Sequence, residues 1–178
     1  MQIIKHKFSN YKINSNTETL IVGTFNPETK KNPADFFYGR SRNYMWRLLP
    51  FAFDEEDLKK ESKQRKLDFI KKYKIDFIDI IAELEVETGE ETNYSDDYID
   101  GRVTKWRNVN YELSKLKQLK RVCFTRKTFA KVPNIKRQVE EIEKYCKKNN
   151  ILFSSLVTSS RFYNTKKQDE WNSFLKFF

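Results

Sequence analysis

Apolar residues follow two rhythms along the chain. Four short blocks carry apolar runs: Glu18-Thr-Leu-Ile-Val-Gly23, Ile75-Asp-Phe-Ile-Asp-Ile-Ile81, Arg121-Val-Cys-Phe-Thr125 and Ile151-Leu-Phe-Ser-Ser-Leu-Val157. Their length and their content of β-branched and aromatic residues predict core strands, with Asp76 and Asp79 as imperfections in the second. The other rhythm is helical. It predicts helices over 43–49, ended by Pro50, and over 54–74, with Leu58, Leu67, Phe69 and Ile70 as a sparse apolar face and Asp54 as N-cap. Further helices are predicted over 110–119, 127–132 (with a break at Pro133), 134–148 and 166–178. The stretch 24–42 is polar and broken by Pro27, Pro33 and Gly39; residues 76–100 hold ten acids and no base, and much of them reads as a loop around Gly89. Strands that alternate with helices predict an α/β fold with a mainly parallel sheet.

The chain has 178 residues and no internal repeat or low-complexity tract, so one domain spanning 1–178 is expected. Only 38% of residues are apolar, but 15% are aromatic, enough large rings to build a core, which argues against disorder. No window offers 18 uncharged apolar residues, so no membrane helix is expected. The N-terminal MQIIKHKFSNYK lacks the apolar segment of a signal peptide, so a cytoplasmic location is expected. Two cysteines are too few for a disulfide framework, a Cys-rich zinc site or an iron–sulfur cluster. A single histidine, His6, excludes a His-rich metal site and any Ser-His-Asp triad built away from residue 6. No metal and no cofactor are expected; the chemistry falls to carboxylates, amides, hydroxyls, lysines or main-chain groups.

The net charge of +10 is unevenly spread: +5 over residues 1–50, −8 over 51–100 and +13 over 101–178. A fold that unites the two basic ends presents a positive face to a polyanion, with the acidic 76–100 region expected to lie away from it. In parallel α/β folds, ligands bind beyond the carboxyl ends of the strands. Three such ends here carry polar or basic residues. Gly23-Thr-Phe-Asn-Pro27 combines a tight exit, the Asn26 amide and a stiffened turn; it also reads as an ordinary Asn-Pro turn. It is not a glycine-rich phosphate loop, since neither G-x-G-x-x-G nor G-x-x-x-x-G-K occurs. Lys127 follows the third strand. Thr158-Ser-Ser-Arg161, after the last strand, suits a phosphate backbone, or simply caps a helix. In Phe36-Phe-Tyr-Gly-Arg-Ser-Arg-Asn-Tyr-Met-Trp46, Phe36 and Trp46 read as core and Tyr38 as a ring free to stack on a flat ligand. Arg40 and Arg42 sit just before a helix, where an anion is favoured.

Taken in order, these features resemble the uracil-DNA glycosylase superfamily. The likeness rests on Gly23-x-x-Asn26-Pro27, an aromatic five residues before the Asn of Arg42-Asn43-Tyr-Met-Trp46, and a Ser-rich loop after the last strand. Spacing is closest to the mismatch-specific uracil and hypoxanthine-DNA glycosylase branches, and Asp79–Glu85 with Ser95–Ile99 also resembles the latter. The resemblance implies a three-layer α/β/α domain with a central four-stranded parallel sheet. It implies hydrolysis of the N-glycosidic bond of a flipped-out deaminated base, uracil or hypoxanthine, by a monomer acting on DNA without metal or cofactor. Catalytic roles would fall to Asn26 and Asn43: Asn26 orienting a water, Asn43 meeting the base or capping the helix. Gly23, Phe25 and Tyr38 would bind the base, and Arg40, Arg42, Lys127, Thr158, Ser159, Ser160 and Arg161 would hold DNA. The sequence departs from the pattern in three places. The first loop is one residue longer than G-x-N-P, Ser41 precedes Arg42-Asn43 where a proline is usual, and the last motif lacks the histidine that steadies the leaving base. Two alternatives stay open: a non-catalytic nucleic-acid-binding module on the same fold, and an enzyme acting on a free nucleoside or nucleotide.

Overall fold

The computed structural model describes residues 1–176. At its centre lies a parallel sheet of four strands in the order β3-β2-β6-β7: β2 (Thr19–Gly23), β3 (Ile75–Asp79), β6 (Arg121–Phe124) and β7 (Leu152–Ser155). Register is continuous, with Ile21 opposite both Phe77 and Cys123. Side chains alternate across the sheet, as strand geometry demands. Ile21, Phe77 and Cys123 enter the core under α1 (Met45–Ala52), α2 (Lys63–Tyr73) and α6 (Thr165–Leu175). Leu20, Val22, Ile78, Val122 and Phe124 enter the opposite core under α4 (Val109–Lys115) and α5 (Pro133–Lys148). The result is the expected three-layer α/β/α arrangement.

That second layer also contains a small antiparallel sheet that the sequence reading did not anticipate, in the order β1-β4-β5: β1 (Gln2–Lys5), β4 (Ile81–Val86) and β5 (Val103–Trp106). Residues 76–100 are thus less of a loop than their charge suggests. Within β4, Ile81, Leu84 and Val86 are buried. A short helix, α3 (Asp96–Ile99), follows.

Three boundaries differ from expectation, each for a local reason. Pro50 does not end α1 but lies within it; the Trp46 carbonyl it leaves unpaired accepts the Leu58 amide at 2.8 Å. Asp54 is no N-cap. It has φ 58°, and α2 begins at Lys63, capped by the Ser62 hydroxyl. The predicted helix over 127–132 is absent, and Pro133 opens α5 instead of interrupting it, because the first helical position needs no amide hydrogen. Of the predicted last helix, residues 177–178 lie outside those described.

The chain steps outward from β2 to β3 and then returns to β6 on the other side of β2. The connections therefore diverge between β2 and β6, and an open parallel sheet gains a crevice at the carboxyl ends of such a pair.

Candidate active site at the carboxyl ends of the strands

A cleft of about 700 Å³ opens at this point. Its lining includes eleven of the twelve residues singled out from the sequence: Gly23, Phe25, Asn26, Tyr38, Arg40, Arg42, Asn43, Lys127, Thr158, Ser160 and Arg161. Ser159 is buried beneath the loop, where its carbonyl accepts the Tyr44 amide at 2.9 Å.

The loop after β2 is held by the N-terminal segment. The Lys7 amide donates to the Asn26 carbonyl at 2.7 Å and the Glu28 amide to the Lys5 carbonyl at 2.8 Å. Gly23 is dictated by crowding. A Cβ there would lie 2.2 Å from Asp79 Oδ1 and 2.7 Å from the Tyr38 hydroxyl. Asn26 is buried, and its Oδ1 accepts from Asn32 Nδ2 at 2.6 Å. Asn32, which the sequence reading missed, is itself fixed: Nδ2 also donates to the Pro27 carbonyl, while Oδ1 accepts the Ala34 amide. Asn26 is left with its NH2 unbonded among the described residues.

Asn43 presents the same face. Its Oδ1 accepts the Met45 amide at 2.9 Å, a local turn just before α1, whose N-cap is Tyr44. The Asn43 segment is joined to the last loop by the Arg161 amide, which donates to the Arg42 carbonyl at 2.8 Å. Both asparagines therefore have the oxygen engaged and the NH2 available. Tyr38 lines the same cleft, in left-handed backbone geometry at φ 56°, with its hydroxyl 3.5 Å from Thr125 Oγ1. Burial, and then the charge of Asp79, push its phenol well above the ordinary value, so it remains protonated. Phe36 and Trp46 are fully buried, and Trp46 Nε1 ties the Phe37 carbonyl at 2.7 Å.

The last loop is braced from below. Lys167, on α6 and 4% exposed, donates to the Ser160 and Phe162 carbonyls at 3.0 and 2.8 Å. Burial lowers its pKa. Thr158 Oγ1 and Ser160 Oγ pair at 2.9 Å, and Arg161 takes φ 77° at the exposed tip. Lys127 is tied to Glu170 at 2.7 Å, and Glu170 also receives the Val157 amide.

The acidic region does not lie away from this site. Tyr94, Ser95, Asp96 and Asp97 form one wall. Arg126 bridges to Asp96 at 2.6 Å and Asp97 at 3.2 Å, closing the wall onto the loop after β6. Burial raises the Asp96 carboxyl pKa and Arg126 opposes the rise. The Arg40 guanidinium lies 4.1 Å over the Tyr94 ring. The expectation of a uniformly positive face is thereby corrected: a loop that follows an acidic strand brings carboxylates to the cleft, and arginines neutralise them there.

The floor holds a pair that sequence separation concealed. Asp79, the last residue of β3, receives His6 Nε2 at 2.7 Å, with the two side chains 7% and 0% exposed. Among the described residues, no cluster of three or more His, Cys, Asp or Glu is placed to hold a metal ion, and no helix is long and apolar enough to cross a membrane.

No protein-family model and no curated protein matches the chain. Among solved structures, it is similar to the solution NMR structure of a protein from Methanosarcina acetivorans described as a candidate uracil DNA glycosylase. Sequence identity is 21%, the match covers 93% of this chain and 92% of that one, and the TM-score is 0.62. The four-stranded parallel sheet, its helical layers and this likeness together identify the fold as uracil-DNA glycosylase-like.

Proposed function

We propose that this chain is a monofunctional DNA glycosylase, which hydrolyses the N-glycosidic bond of a deaminated base, uracil or hypoxanthine, flipped out of DNA. One observation carries the reading. Two asparagine amides, each with its oxygen tied back and its NH2 free, line the same cleft as the Tyr38 ring.

Such a cleft suits a flat, carbonyl-bearing ring. A deaminated base differs from its parent by an oxygen in place of an exocyclic amine. Amide NH2 groups donate to that oxygen, whereas a parent amine would meet them donor to donor. Tyr38 and Phe25 supply faces for stacking. Arg42, Lys127 and Arg161 are exposed at the rim, where the DNA backbone would run. The glycosidic bond is hidden in a duplex, so the nucleotide must leave the stack to reach the floor.

The two enzyme branches that the sequence resembles use asparagines at positions resembling Asn26 and Asn43. We assign Asn26 to the attacking water, donating to its oxygen, and Asn43 to the base carbonyl. An amide positions; it does not deprotonate. That suits a reaction whose transition state is chiefly a sugar oxocarbenium ion. The test is incubation with oligonucleotides carrying one uracil, hypoxanthine or xanthine, followed by alkali. Strand scission at the lesion supports the reading. Tight, salt-sensitive binding without scission would identify a non-catalytic module on the same fold.

A further inference from the structure

We propose that Asp79 is a catalytic residue of this site, the proton acceptor for the attacking water and the negative charge facing the sugar cation, with His6 and Arg107 positioning it. The inference rests on the glycosylase reading above.

The structure supplies the pieces. Asp79 ends β3 beside Gly23, at the point where the sheet opens into the cleft, and its side chain is 7% exposed. Oδ2 is taken by His6 Nε2. Oδ1 has no hydrogen-bond partner among the described residues, although it belongs to a buried carboxylate lining a ligand-sized cleft. The tautomer of His6 follows from its other nitrogen. Nδ1 lies 3.1 Å from the Phe8 amide and 3.2 Å from Arg107, and both of these groups can only donate. Nδ1 therefore accepts, and the ring proton sits on Nε2, pointing at Asp79. One face of the carboxylate is fixed and the other is left open.

The open oxygen fits the water and the sugar better than the base. A carboxylate only accepts, and uracil and hypoxanthine flank their N–H with carbonyl oxygen that it would repel. The two asparagines offer donors, so among these three groups Asp79 alone can take a proton from water. Asp96 and Asp97, the other carboxylates in the cleft wall, are already paired with Arg126. In the step, the water oxygen bonds to C1′, the C1′–N bond breaks with its electrons leaving on the base, and one water proton passes to Asp79 Oδ1. That proton returns to solvent as the base anion takes one up.

Asp79→Asn keeps the shape and an oxygen for His6. It is expected to lower single-turnover excision on the order of 10²-fold or more, with little change in melting temperature. Binding is then compared on duplexes bearing two uncleavable abasic analogues, a protonated pyrrolidine and a neutral tetrahydrofuran. The wild type should prefer the cation, and Asp79→Asn should lose about tenfold or more of that preference. His6→Ala should lower kcat with KM kept, and His6→Gln, which restores a donor at the Nε2 position, should recover part of it. If Asp79→Asn excises at near-wild-type rates, or weakens both analogues equally, the assignment is wrong. A wild type that cuts no lesion overturns the glycosylase reading instead. The proton-acceptor role falls with it, and the analogue pair then tests the charge alone: an Asp79-dependent preference for the cation upholds a carboxylate facing the sugar, and no preference ends that too.

Discussion

Gly23→Ala puts the geometry of the floor under direct stress. A methyl at this position would sit 2.2 Å from Asp79 Oδ1 and 2.7 Å from the Tyr38 hydroxyl, and both gaps are too short to persist. Tyr38 is held by Phe77 packing on one side, so much of the shift falls on Asp79. Displacing Asp79 loosens the buried 2.7 Å bond from His6. Overpacking costs about 1–3 kcal/mol, and a lost hydrogen bond to a charged group about 1.5–3 kcal/mol. Together they amount to a loss of about 2.5–6 kcal/mol, a fall in Tm of about 5–24 °C for a chain of this size. Gly101→Ala is the internal control, because a methyl there meets nothing within 4 Å. Its change should stay within about 0.5 kcal/mol. Thermal unfolding followed by circular dichroism reads both variants. A Gly23→Ala protein that melts with Gly101→Ala and wild type would refute the placement of Asp79 over Gly23, and with it the account of the cleft floor.

Other outcomes follow from the same geometry. Asn26→Ala should lower excision on the order of 10²-fold or more, whereas Asn43→Ala, which also removes a bond to the Met45 amide, should reduce excision less and cost about 1 kcal/mol in stability; single-turnover rates and melting curves separate the two. DNA affinity should fall steeply with salt, and Arg161→Ala should weaken it without lowering Tm, since Arg161 is an exposed loop tip; a salt-independent affinity in a titration would exclude phosphate contacts. Burial raises the Asp96 pKa above its unfolded value, so the stability this group contributes at low pH is lost as pH rises through the folded value. Asp96→Asn should therefore gain stability relative to wild type as pH rises above the ordinary aspartate value of about 4, read by denaturant titration; a difference that stays constant as pH rises contradicts the shift.

The four parallel strands were legible because each lies in a short block rich in apolar residues; β2, β3 and β6 are buried along their whole length, and the edge strand β7 keeps Leu152 and Phe153 beside two serines. Seven of the cleft-lining residues were legible for a related reason: residues at or just after the end of such blocks fall at one end of the sheet, whereas Tyr38, Arg40, Arg42 and Asn43 were legible from the aromatic and basic stretch that leads into α1. The antiparallel sheet was missed through charge. In Ile81–Val86 the buried Ile81, Leu84 and Val86 are interleaved with Glu83 and Glu85, and the acidity of the region outweighed the alternation. The helix over 54–74 was overextended because charged residues with good helix propensity continue upstream of the Ser62 cap. His6 and Asp79 lie 73 positions apart, and no local pattern links them. The one available signal was an aspartate at the end of an otherwise apolar strand. A carboxylate is costly to bury there unless a partner or a ligand meets it.

The central claim is that the cleft breaks an N-glycosidic bond in DNA. The measurement that meets it most directly is release of the free base from a duplex containing one uracil or one hypoxanthine, detected by chromatography and mass. Wild type is run beside the Asn26→Ala, Asn43→Ala double variant. The account predicts free base with wild type, together with an abasic strand in equal amount, and none above background with the double variant. Intact duplex after long incubation with excess folded wild-type protein, or equal release by both proteins, would contradict it.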